Sequence, residues 1–154
     1  MPIDFSQGTQ IAASGNAINI PGSIMQVVNT QNTVSASVGG AWTTVLSASI
    51  SISKPGNRIL VEYMMNNRSD QGNGNWCLIY NRVLANGTQI WQGGHDGAAG
   101  NYIGFYERTF LYTAATAGTY NFEGQVLAHQ GTAWIGEFNS GSTNHYLRLY
   151  EIGT

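Results

Sequence analysis

Between residues 41 and 53 the side chains change character at almost every step. Thr43, Val45, Ser47, Ser49 and Ser51 fall on one side, and Trp42, Thr44, Leu46, Ala48, Ile50 and Ile52 on the other. A period of two places successive side chains on opposite faces of an extended chain, so the segment predicts a half-buried strand. The pattern recurs. Residues 58–64 set Ile59, Val61 and Tyr63 against Leu60, Glu62 and Met64, largely apolar on both sides, as expected of a central strand. Residues 102–113 set Ile103, Phe105, Glu107, Thr109 and Leu111 against Tyr102, Tyr106, Phe110 and Tyr112. Residues 120–129 and 145–152 alternate in the same way, and no segment reads as an amphipathic helix.

Turn residues separate these runs. Pro55-Gly56-Asn57 predicts a turn, residues 66–75 a polar loop, residues 93–101 a Gly-rich loop and residues 114–118 a small-residue turn. Asn86-Gly87, flanked by strand-like residues 76–84 and 88–92, supplies the positive φ angles of a type I′ turn and is the clearest hairpin signal. About eight or nine strands at roughly 10–15-residue spacing predict an all-β chain, an antiparallel β-sandwich or jelly roll. Residues 22–154 would form that domain. Residues 1–21, small and polar around Ile3, Phe5, Ile11 and Ile18, read as a short N-terminal arm, either extended against a neighbour or frayed.

Composition then excludes partners. Only 9% of the 154 residues are charged, and roughly a third are Asn, Gln, Ser or Thr. Six spread basic residues cannot neutralise a run of phosphates, so no nucleic acid is expected. No apolar run approaches the ~20 residues of a membrane-spanning helix, so no membrane insertion is expected. Hydrophobic residues at 42% suffice for a core. The single cysteine, Cys77, allows no intrachain disulfide and reads as a small buried hydrophobe, with a catalytic thiolate as the alternative. Met1-Pro2-Ile3-Asp4 has no basic n-region, so export through a signal peptide is not expected.

No chemistry-bearing motif is specific. His95, His129 and His145 lie 34 and 16 residues apart, without the close spacing of a zinc site. His95-Asp96 within Gly93-Gly94-His95-Asp96-Gly97 reads as a polar loop tip, because adjacency does not make an acid–base dyad. The segment Asp70-Gln71-Gly72-Asn73-Gly74-Asn75 lacks the late Glu and the ligand spacing of a calcium loop. Glu107 and Glu123 could lie on neighbouring strands as a carboxylate pair, and Glu62 could pair with Arg58, Arg108 or Arg148. No cofactor and no metal is expected, nor a catalytic residue. Sugar contacts would need aromatic platforms beside amides and carboxylates. Trp91, His95, Asp96, Asn101 and Tyr102, with Trp134 and Asn139, fit that description, while core or interface packing is the alternative for each aromatic.

Three segments carry a resemblance. Pro21-Gly22-Ser23-Ile24-Met25-Gln26-Val27-Val28 resembles a Gly-Ser-Ile-hydrophobic-Gln-Val-Val segment of phage and environmental viral structural proteins. Residues 48–53 followed by Asn57-Arg58-Ile59-Leu60-Val61 are similar to the Ser/Ile-rich strand and Ser-Lys-Ile-Leu-Val that follow there, with Arg58 in place of the usual Lys. His145-Tyr146-Leu147-Arg148-Leu149-Tyr150-Glu151-Ile152 is similar to their closing strand. Order and spacing agree over about residues 20–152. The resemblance implies a trimeric jelly-roll head on a virion surface, made in the host cytoplasm and acting by binding. It implies no catalytic residue. Two readings stay open at this point: a capsid decoration (cement) protein whose arm meets the major capsid protein, and a tail-fibre tip or free lectin-like module that binds a host surface glycan.

Overall fold

The computed structural model describes residues 22–32, 36–70, 77–97, 103–129, 131–135, 137–138, 141–142 and 145–154. The predicted arm, residues 1–21, lies outside them, as do Asn101, Tyr102 and Asn139. The described residues form strands and turns with no helix. In chain order the strands are β1 (Ile24–Asn32), β2 (Ala36–Val38), β3 (Thr43–Ile52), β4 (Arg58–Asp70), β5 (Cys77–Ala85), β6 (Thr88–Gly97), β7 (Ile103–Thr113), β8 (Gly118–Ala128), β9 (Thr132–Ile135), β10 (Glu137–Phe138), β11 (Gly141–Ser142) and β12 (His145–Ile152).

Eight of these make two facing antiparallel sheets. The first runs β1-β12-β4-β7 and the second β3-β8-β5-β6. Each sheet draws strands from both halves of the chain, and successive strands mostly cross from one sheet to the other. Renumbering the eight gives orders 1-8-3-6 and 2-7-4-5, the double Greek key of a jelly roll. The short strands are additions to this frame. β9 pairs with residues 67–70 of β4, beyond the end of β12 on the same edge, and β2 pairs with β9. β10 and β11 pair with each other.

The inner faces follow the predicted alternation. Leu46, Ala48, Ile50 and Ile52 of β3 are buried, and so are Ile59, Val61, Tyr63 and Met65 of β4 and Leu147 and Leu149 of β12. Tyr112 packs edge-on to Phe122 at 5.7 Å and to Tyr120 at 5.8 Å, joining the sheets at one end. At the other end Trp91 lies between Tyr63 and Tyr106, at 5.9 and 6.3 Å. Tyr63 reaches fully across the sandwich. A Cβ at Gly124 of β8 would stand 2.7 Å from its ring, so the inter-sheet distance here depends on a residue without a side chain.

Asn81 and Glu151 each gather hydrogen bonds inside the sandwich. The Tyr63 hydroxyl and the Asn67 amide both donate to Asn81 Oδ1, at 3.1 and 3.2 Å. Glu151 faces inward from β12, and its Oε1 accepts from Ser53 N (2.8 Å), Ser53 Oγ (2.7 Å) and Asn57 Nδ2 (2.7 Å). That carboxylate fixes the β3–β4 turn, where the chain crosses between sheets, against the C-terminal strand. Gly56 takes φ +88° in this turn. Asn86 and Gly87 have φ 48° and 77°, the two positive values that the type I′ signal requires.

Three segments differ from the sequence expectation. The polar loop expected at residues 66–75 is strand up to Asp70. Asn66 and Asn67 are fully buried there because β7 and β9 flank them. The Gly-rich loop expected at residues 93–101 is strand up to Gly97. Its glycines accommodate rings lying over the backbone: a Cβ at Gly94 would meet Tyr80 at 2.5 Å, and one at Gly93 would meet Trp91 at 2.7 Å. β2 was not foreseen. It has three residues, too few for alternation to register.

Candidate functional site

The two sheets turn very different outer faces to solvent. On the first sheet, register places outer residues in rows across β1, β12, β4 and β7. One row is Ile24, Ile152, Arg58 and Thr113, and the next is Val27, Tyr150, Leu60 and Leu111. Below them run Asn29, Arg148, Glu62 and Thr109, then Gln31, Tyr146, Met64 and Glu107. The four large hydrophobics found exposed among the described residues all lie on this face: Ile24 (60% exposed), Val27 (54%), Leu111 (51%) and Phe105 (59%).

A polar girdle crosses the middle of that face. Arg148 Nη1 lies 3.7 Å from Glu62 Oε2, so Glu62 takes Arg148 from the three partners considered. The Tyr150 hydroxyl donates to Glu62 Oε2 at 3.0 Å, and the Tyr146 hydroxyl to Glu107 Oε1 at 3.2 Å. The Arg148 guanidinium also lies 4.0 Å over the Tyr146 ring. Burial, then the Glu62 carboxylate, pushes the Tyr150 phenol up; burial and Glu107 do the same for Tyr146.

The outer face of the second sheet is polar and self-satisfied. Ser49 Oγ donates to Asn121 Oδ1 at 2.7 Å, and Ser51 and Thr119 pair through their hydroxyls at 3.3 Å. Across the sheet, Thr44, Gln125, Arg82 and Gln92 stand in one row. Arg82 Nε donates to Gln125 Oε1 at 2.8 Å. Gln125 Nε2 donates to Thr44 Oγ1 and Glu123 Oε2, both at 2.9 Å, and Thr44 Oγ1 donates to the same Glu123 oxygen at 2.9 Å. The Arg82 guanidinium stacks 4.2 Å over the Trp42 ring.

The residues singled out for sugar contact do not form one described cluster. Trp91 turns inward between Tyr63 and Tyr106 and packs against the core. His95 and Asp96 belong to strand β6, paired with Ile79 and Leu78, and only their backbone is described. Trp134 sits on β9 opposite Arg68 and Ser37, half-buried. His129 is exposed, edge-on to Tyr80 at 6.2 Å, while His145 is buried. Glu107 and Glu123 stand on the outer faces of different sheets, so they do not form a carboxylate pair. Among the described residues there is no group of three or more His, Cys, Asp or Glu able to hold a metal ion, and no helix long and apolar enough to cross a membrane.

Sequence reasoning missed Trp42 and Arg82. The two lie 40 positions apart, and only the order β3-β8-β5 brings them together. Strict alternation also puts Trp42 and Thr44 on the core side of β3. A register shift between Thr44 and Leu46 reverses the residues before it, so both join the outer face.

The fold defines the class, a two-sheet antiparallel jelly roll. No protein-family model matches the sequence, and no curated protein sequence matches it. Among solved structures, the chain is similar to dimeric latent PorU from Porphyromonas gingivalis, with TM-score 0.46 and 9% identity over 83% of this chain and 12% of that one. It is similar to the VP2 subviral particle of infectious bursal disease virus, with TM-score 0.42 and 13% identity over 86% of this chain and 39% of that one. It is also similar to tailspike protein 4 of bacteriophage CBA120, with TM-score 0.29 and 14% identity over 81% of this chain and 20% of that one. The chain thus spans well under half the length of each, and at these TM-scores none bears on what it does.

Proposed function

We propose that this chain is a virion structural protein: a homotrimeric jelly-roll surface protein that binds and stabilises a capsid as a decoration protein. The observation that carries the reading is the outer face of the first sheet. Four strands at about 4.8 Å spacing, followed along about ten residues of β4 at about 3.3 Å each, give a face of roughly 600 Å². The whole face, polar girdle included, approaches the ~800 Å² that a standard interface removes from each partner. Tyr146, Tyr150, Met64, Arg148 and Phe105 are residue types enriched in such interfaces. The Glu62–Arg148 pair supplies both signs of charge at the centre, so one copy can meet another without like-charge conflict.

Two further facts support the virion setting. The two-sheet, eight-stranded strand order is an architecture used by viral capsid domains. The three sequence segments that resemble viral structural proteins fall on β1, on the β3–β4 crossover and on β12, two of which are adjacent strands of this same face. The reading is one of binding rather than turnover, at the virion surface, with the major capsid protein as partner of residues 1–21.

Particle imaging with the protein added back to bare capsids tests the capsid role. The intact chain is expected to fill regular surface positions, and a chain lacking residues 1–20 to leave them empty while still forming trimers in solution. Equal occupancy by both would overturn the arm's role; no occupancy by the intact chain would overturn the decoration reading. A fibre-tip or lectin-like role is the second reading, favoured by the Trp42–Arg82 stack.

A further inference from the structure

We propose that the row Thr44, Gln125, Arg82 and Gln92, capped by Trp42, is a binding site for a carboxylate-bearing sugar. The inference stands apart from self-association, because the row lies on the opposite face of the sandwich.

Arg82 is held before any ligand arrives. A free arginine side chain samples many rotamers, and ordering it on binding a ligand costs entropy. Here two contacts hold it in advance. The guanidinium plane stacks 4.2 Å over the Trp42 indole, and Nε is fixed on Gln125 Oε1 at 2.8 Å. Gln125 is itself held, since its amide nitrogen donates to Thr44 Oγ1 and Glu123 Oε2. The relay leaves the two terminal nitrogens of Arg82 without a partner among the described residues, on a half-buried side chain at the surface. A guanidinium fixed through Nε and one face presents its terminal N–H groups as a fork, and a carboxylate is the group whose two oxygens match that fork.

Three of the other basic side chains are engaged differently. Arg148 has Glu62, Lys54 donates to the Thr154 carbonyl at 3.2 Å, and Arg108 donates to the Glu107 carbonyl at 3.3 Å. Glu123 balances the charge of Arg82 through Gln125 without covering the terminal nitrogens. The surroundings favour a sugar over a peptide. Peptides dock on strand edges or in apolar grooves, whereas this is the flat face of a four-stranded sheet. The exposed amide of Gln92 stands beside the fork in the same row, and hydroxyl-rich positions Ser49 and Ser51, already bonded to Asn121 and Thr119, lie farther along β3. Such groups match ring hydroxyls.

The test is an NMR titration of the full chain with four probes: methyl glucuronide, methyl glucoside, acetate and N-acetylglutamate amide. Methyl glucuronide is expected to shift the backbone amides of residues 42–44, 82 and 92 with a Kd in the millimolar range. The neutral glucoside and acetate are each expected to bind at least tenfold more weakly, and Arg82→Gln to weaken the glucuronide at least tenfold. Gln92→Ala, an exposed change that leaves the stack intact, is expected to weaken it several-fold and serves if Arg82→Gln does not fold. No shift at about 50 mM glucuronide, or shifts elsewhere, would overturn the proposal. Acetate binding as well as glucuronide would mean an adventitious anion only. N-acetylglutamate amide binding as well would mean a protein carboxylate, and either result overturns the sugar assignment.

Discussion

The two sheets share a core but not an outer surface. On the first sheet, the outer side mixes a polar girdle around Glu62 and Arg148 with large hydrophobics left in water, Ile24, Val27, Leu111 and Phe105. On the second sheet, β8 and β3 from Leu46 onward alternate cleanly, and their outer side is a ladder of Ser, Thr, Asn and Gln bonded to one another. A sheet that faced only water would need one apolar face, as the second sheet has. On the proposed reading, a neighbouring subunit would cover Ile24, Val27, Leu111 and Phe105. Low charge fits both faces: neutral polar groups close hydrogen bonds at contacts without the desolvation cost of buried ions.

Placing charge on each face separates them most sharply. Val27→Glu with Leu111→Glu is expected to weaken self-association on the order of 100-fold or more, because each buries a carboxylate in the contact. Ser49→Glu with Thr119→Glu, an equal charge on the second face, is expected to leave association unchanged. Sedimentation equilibrium reads both. If the second pair disrupts assembly as much as the first, the assignment of faces is reversed.

The shared interior gives the next effect. Gly124→Ala pushes a methyl group against the Tyr63 ring, and overpacking of this kind costs about 1–3 kcal/mol. Urea unfolding should show a lower midpoint at an unchanged slope. An unchanged midpoint would mean that the sheets part easily at this point. Smaller still is Arg148→Ala in the monomeric double-charge background. An exposed pair is worth about 0.2–1 kcal/mol, so a loss above about 2 kcal/mol would show that the girdle supports the fold and not the contact.

The tyrosines distinguish the sheets by titration. Burial raises the phenols of Tyr63, Tyr146 and Tyr150 in the first sheet above the ordinary 10.0, with Glu107 and Glu62 adding to the last two. Tyr120 of the second sheet moves down, because Thr116 hydrogen-bonds its oxygen. For a raised phenol the folded state keeps a proton that the unfolded chain releases. That contribution to stability is complete below pH 10 and is lost as pH rises through the folded value. Ultraviolet difference titration should therefore show Tyr120 ionising before Tyr63, Tyr146 and Tyr150, and Tyr120→Phe should remove one phase that precedes theirs.

Much of this was legible in the sequence, and the failures share causes. Alternation identified β3, β4, β7, β8 and β12, because a buried face tolerates few exceptions. Asn86-Gly87 gave the hairpin, because only a left-handed pair closes it. Bulges hid the sites. The shift after Thr44 moved Trp42 and Thr44 outward, and the shift between Val83 and Leu84 opposite β6 turned Trp91 inward from where a sugar platform would stand. Asn66, Asn67, Gly93 and Gly94 read as loop because their types favour turns, while here buried pairing and overlying rings hold them in strands. Nothing local marks Arg82 as the partner of Trp42; strand order alone does.

On the proposed reading, the outer face of the first sheet is a subunit contact. Light scattering coupled to size exclusion tests it directly on the unmodified 16.6 kDa chain. The account predicts a single species of three times that mass, persisting on dilution into the micromolar range. A monodisperse species at the mass of one chain would contradict it.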